Sequence, residues 1–220
     1  MNQRRINHII PGGVSEMPID LFGEPIPQKR FTQQERLSGR QAETRQRDFY
    51  ETEPKDIERF LAALDRDGIS ISGTIWEPAA GQGAISKTLI QHGHQVLSTD
   101  IVPYRDRHID ISELDFFTVT QQSCKTIFTN PPFNLQEDFL RHALSFNVDV
   151  IFFIRLSFLS SIKRHALFIG RPPAFVYVYS ARAHCYKNGV KGSAADNMID
   201  YCVIYWKPPH AKDTILRWIA

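Results

Sequence analysis

Asn130-Pro131-Pro132-Phe133 puts the most chemistry into the fewest residues of this chain. It follows directly on Lys125-Thr126-Ile127-Phe128-Thr129, whose β-branched and aromatic content reads as a strand. The chemistry that fits it is methylation of a planar exocyclic amine. The lone pair of such a nitrogen is delocalised into its ring, so it is a poor nucleophile. The Asn130 side-chain oxygen can accept one N–H and the Pro131 carbonyl the other. Held so, the nitrogen is pushed toward tetrahedral geometry with its lone pair on the electrophile. Pro131 and Pro132 fix φ and donate no hydrogen bond, which stiffens the loop. Phe133 can stack on a base. A helix-initiating turn fits the same four residues equally well, since Asn caps helices and Pro suits the first turn.

A second constellation precedes it. Glu77-Pro78-Ala79-Ala80-Gly81-Gln82-Gly83 lies between a strand and a helix. Gly81 and Gly83 let the backbone turn sharply and a ligand approach it. The dinucleotide fingerprint is incomplete because no third glycine follows. An acid at the strand tip suits a cationic or amino-bearing ligand better than a pyrophosphate. A structural turn also accounts for this Gly-Gln-Gly. Asp100, at the end of the next strand, can accept both hydroxyls of a ribose. Asp115 can accept from an adenine amine with Phe116 against the ring, or cap a turn. Three acids at successive strand ends make a nucleoside pocket the more economical reading.

The elements that position these residues follow from hydrophobic spacing. Polar residues with Pro11, Pro18, Pro25 and Pro27 dominate residues 1–47, which read as a partly disordered arm with a short helix over 32–47. A domain is expected over 48–220. Pro54 opens a helix carrying Ile57, Phe60, Leu61 and Leu64, and Gly68 ends it. Strands are expected over 73–78, 95–100, 125–129, 148–154, 174–179 and 201–206, with helices around Ile85–Leu89 and Leu135–Leu144. Strands alternating with helices imply a mostly parallel sheet covered on both faces, an α/β Rossmann-like fold. The last two strands are expected as an antiparallel pair at the sheet edge. Trp76, Phe152, Phe153, Phe158 and Trp206 are core residues on this reading.

Taken in order, the glycine segment, Asp100, Asp115-Phe116-Phe117 and Thr129-Asn130-Pro131-Pro132-Phe133 resemble the class I S-adenosylmethionine-dependent methyltransferases of the amino-methylating type. They are closest to short phage- and prophage-type N6-adenine methyltransferases. The resemblance covers roughly residues 48–207. It implies a seven-stranded sheet with an antiparallel last strand and S-adenosyl-L-methionine as cofactor. It places Glu77, Ala79, Gly81 and Gly83 around that cofactor, Asp100 on its ribose, and Asp115 with Phe116 on its adenine. It assigns the target amine to Asn130, Pro131, Pro132 and Phe133. Asp48 to Pro54, with Tyr50 and Thr52, resembles the segment that closes over the methionine end, although Glu53 interrupts the family's Thr-Pro pair. The segments with Arg155 and with Arg182 and Tyr186 resemble the family's strand-end segments that face substrate, which makes Tyr186 a candidate second stacking ring.

Charge is distributed unevenly along the chain. Residues 1–47 hold eight basic against five acidic side chains, residues 48–154 eight against sixteen, and residues 155–220 ten against three. A basic last third beside an acidic middle suits a polyanion-binding face, with Arg155, Lys163, Arg164, Arg171, Arg182, Lys187 and Lys191 on phosphates, although a solvated surface has the same composition. There is no room for a large target-recognition domain between Phe133 and Val148, and little after Trp206. Recognition is then relaxed, or falls to the basic arms, or the substrate is RNA or protein. Three cysteines without CxxC spacing argue against a disulfide framework and a structural zinc. Six of the eight histidines, His92, His94, His108, His142, His165 and His184, are scattered without metal-ligand spacing. No apolar run is long enough for a membrane helix and no signal peptide is evident, so a cytoplasmic protein without membrane or metal partners is expected. The leading expectation is N6-adenine methylation in DNA. RNA, a protein glutamine amide, and a cofactor-fold binding protein without catalysis are the alternatives.

Overall fold

The computed structural model describes residues 50–103, 110–187, 199–209 and 211–220. The expected N-terminal arm and its helix, Asp48, Phe49, His108 and Lys191 lie outside them, as does the side chain of Lys187. In chain order the strands are β1 (Tyr50–Thr52), β2 (Ile75–Glu77), β3 (Val96–Asp100), β4 (Ile111–Ser112), β5 (Thr126–Thr129), β6 (Asp149–Arg155), β7 (Phe175–Tyr179), β8 (Cys185–Lys187), β9 (Tyr201–Trp206) and β10 (Ile215–Ile219). The helices are α1 (Pro54–Arg66), α2 (Ala84–Gln91), α3 (Gln136–Ser145) and α4 (His165–Gly170).

The main sheet runs β4-β3-β2-β5-β6-β9-β7-β10, and β1 pairs antiparallel with β8 in a separate ribbon. Every pairing in the main sheet is parallel except those of β9 with β6 and β7. The crossover from β6 through α4 lands β7 one position too far, and β9 fills the gap by running backwards. The expected antiparallel pair is therefore present but lies inside the sheet. The edge belongs to β10, an eighth strand beyond the seven anticipated. Only its last residue, Ile219, enters the core; Ile215, Leu216 and Trp218 are 41, 47 and 56% exposed, so its buried-face signature is weak. Its extended form comes from pairing with β7.

Helices cover both faces. Ile57, Phe60 and Leu64 of α1 and Ile85 and Leu89 of α2 pack on Ile151, Phe153 and Val203. Phe139, Leu140 and Leu144 of α3 pack on Val150, Phe152, Ile154, Ile204 and Trp206. β6 and β9 bury alternate residues on opposite faces, which explains their unbroken apolar runs. Trp76, Phe152, Phe153, Phe158 and Trp206 are core residues, as expected. α1 starts with Pro54 in its first turn, and Gly68 follows it at φ 68°.

Candidate active site

The C-terminal ends of β2, β3 and β5 meet β1 around one cavity. At the tip of β2 the chain turns through Gly81 (φ 53°) and Gly83 (φ 75°) into α2. A Cβ on Gly83 would meet only the Lys87 side chain at 3.5 Å, so the left-handed φ, not crowding, calls for glycine there. Asp100 ties this turn to β3. Its Oδ2 accepts from the Gly81 N–H and its Oδ1 from the Val102 N–H, both at 2.8 Å. Glu77 is 1% exposed and accepts from the Ser86 hydroxyl. Burial pushes its carboxyl up to about 8, so it is a neutral acid at pH 7 in the ligand-free protein.

Asp115 caps the 3-10 turn Phe116–Thr118, accepting from the Phe117 N–H at 3.0 Å. Both readings of this residue thus survive, since it also lines the cavity. Phe116 stacks on Phe139 at 4.7 Å and meets the edge of Trp76 at 5.1 Å. His142 holds the turn onto α3, with Nε2 at 3.0 Å from the carbonyls of both Phe116 and Val119. Burial lowers its pKa, so the ring is neutral and Nε2–H is the donor. Nothing in the sequence marked this histidine, whose partners lie 26 and 23 residues away.

Asn130 stands where β5 ends. Its Nδ2 lies 3.1 Å from Thr52 Oγ1, 3.4 Å from the Tyr50 carbonyl and 3.6 Å from Cys185 Sγ. The threonine hydroxyl and the thiol can donate or accept, but a carbonyl only accepts. Turning the amide over would set two oxygens against each other, so the Tyr50 carbonyl fixes which way the side chain points. Its Oδ1 is left buried with no hydrogen-bond partner among the described residues. An acceptor in that state costs about 1–3 kcal/mol until a donor arrives. The β1–β8 ribbon supplies all three anchors: Tyr50 and Thr52 from one strand, Cys185 from the other. Burial raises the Cys185 thiol to about 12, so it stays protonated and uncharged. Cys124, Cys185 and Cys202 are all buried and unpaired.

Of the anticipated site residues, Tyr50, Thr52, Glu77, Ala79, Gly81, Asp100, Asp115, Phe116, Asn130, Pro131, Pro132 and Phe133 line this cavity together. Gly83 supports it from the start of α2. Arg155 reaches it from the end of β6, its Cζ 3.7 Å from the Phe133 ring centre and 5.6 Å from that of Tyr50. Arg182 and Tyr186 are not brought in. Arg182 is 59% exposed and pairs with Asp200 at 3.7 Å, and Tyr186 stacks on His184 at 6.2 Å. Arg164 and Arg171 are tied to the carbonyls of Phe158 and Leu144. Among the described residues no group of three or more His, Cys, Asp or Glu side chains is placed to hold a metal, and no helix is long and apolar enough to cross a membrane.

No protein-family model matches the chain, and no curated protein matches it in sequence. Solved structures do. One, from Pyrococcus horikoshii and assigned as an RNA methyltransferase, is 12% identical with a TM-score of 0.50; the match covers 73% of this chain and 85% of that one. Another, from Listeria monocytogenes and assigned as a class I S-adenosylmethionine-dependent methyltransferase, is 10% identical with a TM-score of 0.50, covering 76% of this chain and 65% of that one. Likeness at such identities is likeness of fold. With its sheet order, the antiparallel β9 within its main sheet and its cavity at the C-terminal strand ends, the chain has the Rossmann-like fold of the class I methyltransferases.

Proposed function

We propose that this chain is an S-adenosylmethionine-dependent methyltransferase acting on the N6 amine of adenine in DNA. One observation carries the reading: the Asn130 side-chain oxygen Oδ1 is buried, without a partner among the described residues, and locked in orientation beside the glycine turn. The chemistry of the lining fits the cofactor. Asp100 at the tip of β3 is the ribose ligand, and the turn at Asp115 with Phe116 is the adenine end. Glu77 and the backbone around Ala79 and Gly81 form the floor. Tyr50 and Thr52 flank the methionine end. When bound, S-adenosylmethionine supplies an electrophilic methyl carbon on a sulfonium.

The chain's own residues do the remainder. Asn130 Oδ1 and the Pro131 carbonyl each take one hydrogen of the target amine, which withdraws its lone pair from the ring and aims it. Pro132 keeps that corner rigid. Phe133 supplies the stacking face, so a target in duplex DNA must leave the helix to reach it. Glu77, neutral in a dry site, gains a reason to ionise when a cationic ligand enters. The basic last third is the surface for the nucleic-acid backbone, and residues 1–47 are an accessory arm. A cytoplasmic location follows from such a substrate.

The test is transfer of labelled methyl groups to adenine-containing DNA, to RNA of the same sequence and to a glutamine-bearing protein. Label on DNA is expected. Label on RNA alone would move the activity to RNA, and label on protein alone would remove both nucleic-acid readings. Binding of S-adenosylmethionine without transfer to any of the three would make the chain a binding protein.

A further inference from the structure

Arg155 differs from the other described arginines. Arg59, Arg66, Arg141, Arg182 and Arg217 each face a carboxylate within 4.0 Å. Arg164 and Arg171 bond to backbone carbonyls at 2.9 and 3.1 Å. Arg155 has neither kind of partner among the described residues. Among the described residues its Nε is buried and unsatisfied, while its guanidinium shares a hydrogen bond with the Tyr201 hydroxyl. Its guanidinium lies 3.7 Å from the centre of the Phe133 ring, one ring thickness away, where a stacked base would sit. The Tyr50 ring closes in on Phe133 at 4.2 Å. The acceptor slot is thus held by a planar cation that faces no carboxylate among the described residues.

We infer that Arg155 selects a nucleotide as the acceptor: it fills the stacking place on Phe133 in the absence of substrate and moves onto the phosphate beside the target base when the base enters. This rests on the nucleic-acid reading given above. A nucleotide offers both things the site lacks, a flat ring for Phe133 and an anion for the arginine, whereas a glutamine amide offers neither. Half-burial strengthens the coming ion pair, and the guanidinium's plane suits both the ring and the phosphate.

The experiment measures binding of a short oligodeoxyadenylate to the full chain saturated with S-adenosylhomocysteine, by fluorescence anisotropy across a salt series. Arg155→Met is expected to weaken binding roughly tenfold and to lower the salt slope by about one phosphate contact. Arg155→Lys, which keeps the charge but not the plane, is expected to keep the slope while losing part of the affinity. Affinity for S-adenosylhomocysteine itself stays unchanged in both and reports an intact fold. Wild-type affinity and slope in Arg155→Met, or a lost slope in Arg155→Lys, would overturn the role of Arg155 and leave the activity standing. A wild-type chain that binds S-adenosylhomocysteine but no oligonucleotide would overturn the nucleic-acid reading and this inference with it.

Discussion

The two rims of the sheet handle polar groups in opposite ways. At the N-terminal rim they are paired off. Asp149 takes hydrogen bonds from Tyr205 at 2.5 Å and Lys207 at 3.2 Å. Asp67 is shared by Arg66, Tyr177 and Arg217. At the C-terminal rim, Thr129 Oγ1, Asn130 Oδ1 and Arg155 Nε are buried without partners among the described residues, and Glu77 is stripped of water. Thr126 Oγ1, at the start of β5, is the exception at the other rim. Both rims are built from the same strands, so backbone pairing cannot be the cause. One rim spends its polar groups on cohesion; on the proposed function the other holds them for a ligand, at a cost in stability.

Breaking the pattern at Asn130 has the largest expected effect. Asn130→Ala is expected to cut methyl transfer by roughly a hundredfold or more, while calorimetric affinity for the cofactor stays near wild type. Equal loss of both would contradict the division of labour. Asp100→Ala is expected to do the reverse, weakening cofactor binding by about tenfold or more through lost charge-assisted hydrogen bonds, with acceptor affinity less affected.

The opposite rim gives the control. Asp149→Ala is expected to cost about 1–3 kcal/mol in denaturant unfolding, because Tyr205 loses its buried acceptor, with kcat of the surviving folded protein unchanged. A drop in kcat without a drop in stability would erase the distinction between the rims. Glu77 sharpens it by pH. Unfolded, its carboxyl titrates near 4.5, and in the fold near 8. Between those values the unfolded chain releases the proton and the fold retains it. Stability of the ligand-free protein therefore falls as pH rises through that window, then levels off. Glu77→Gln is expected to flatten this part of a melting-temperature profile.

The smallest effect tests the anchor of the acceptor. Thr52→Val removes one of three partners of Asn130 Nδ2 and leaves the Tyr50 carbonyl in place. A several-fold fall in kcat with unchanged KM is expected, recovered by Thr52→Ser. If Ser does not rescue, Thr52 acts by packing alone.

The candidate site was legible where chemistry and chain order coincide. Strand ends carry Glu77, Asp100 and Asn130 in sequence order, so parallel pairing was enough to gather them. Legibility failed where contact depends on a distant loop. Arg182 and Tyr186 have the right residue types, but the chain turns them toward Asp200 and His184. β10 was unreadable because it is a mostly exposed edge strand with only Ile219 buried, too little to show a burial period.

By itself the sequence determined the alternation of strand and helix, the two-sided burial of β6 and β9, and the left-handed glycine turn at the tip of β2. Each depends on local sterics or on hydrophobic period, which neighbouring residues encode. Only the tertiary structure decided which way the Asn130 amide faces and what lies on Phe133. Those facts rest on Tyr50, Thr52 and Cys185, which stand 80, 78 and 55 residues from Asn130, and on an arginine at the end of another strand. A side chain's orientation is set by the partners folding brings to it, and no local pattern records them.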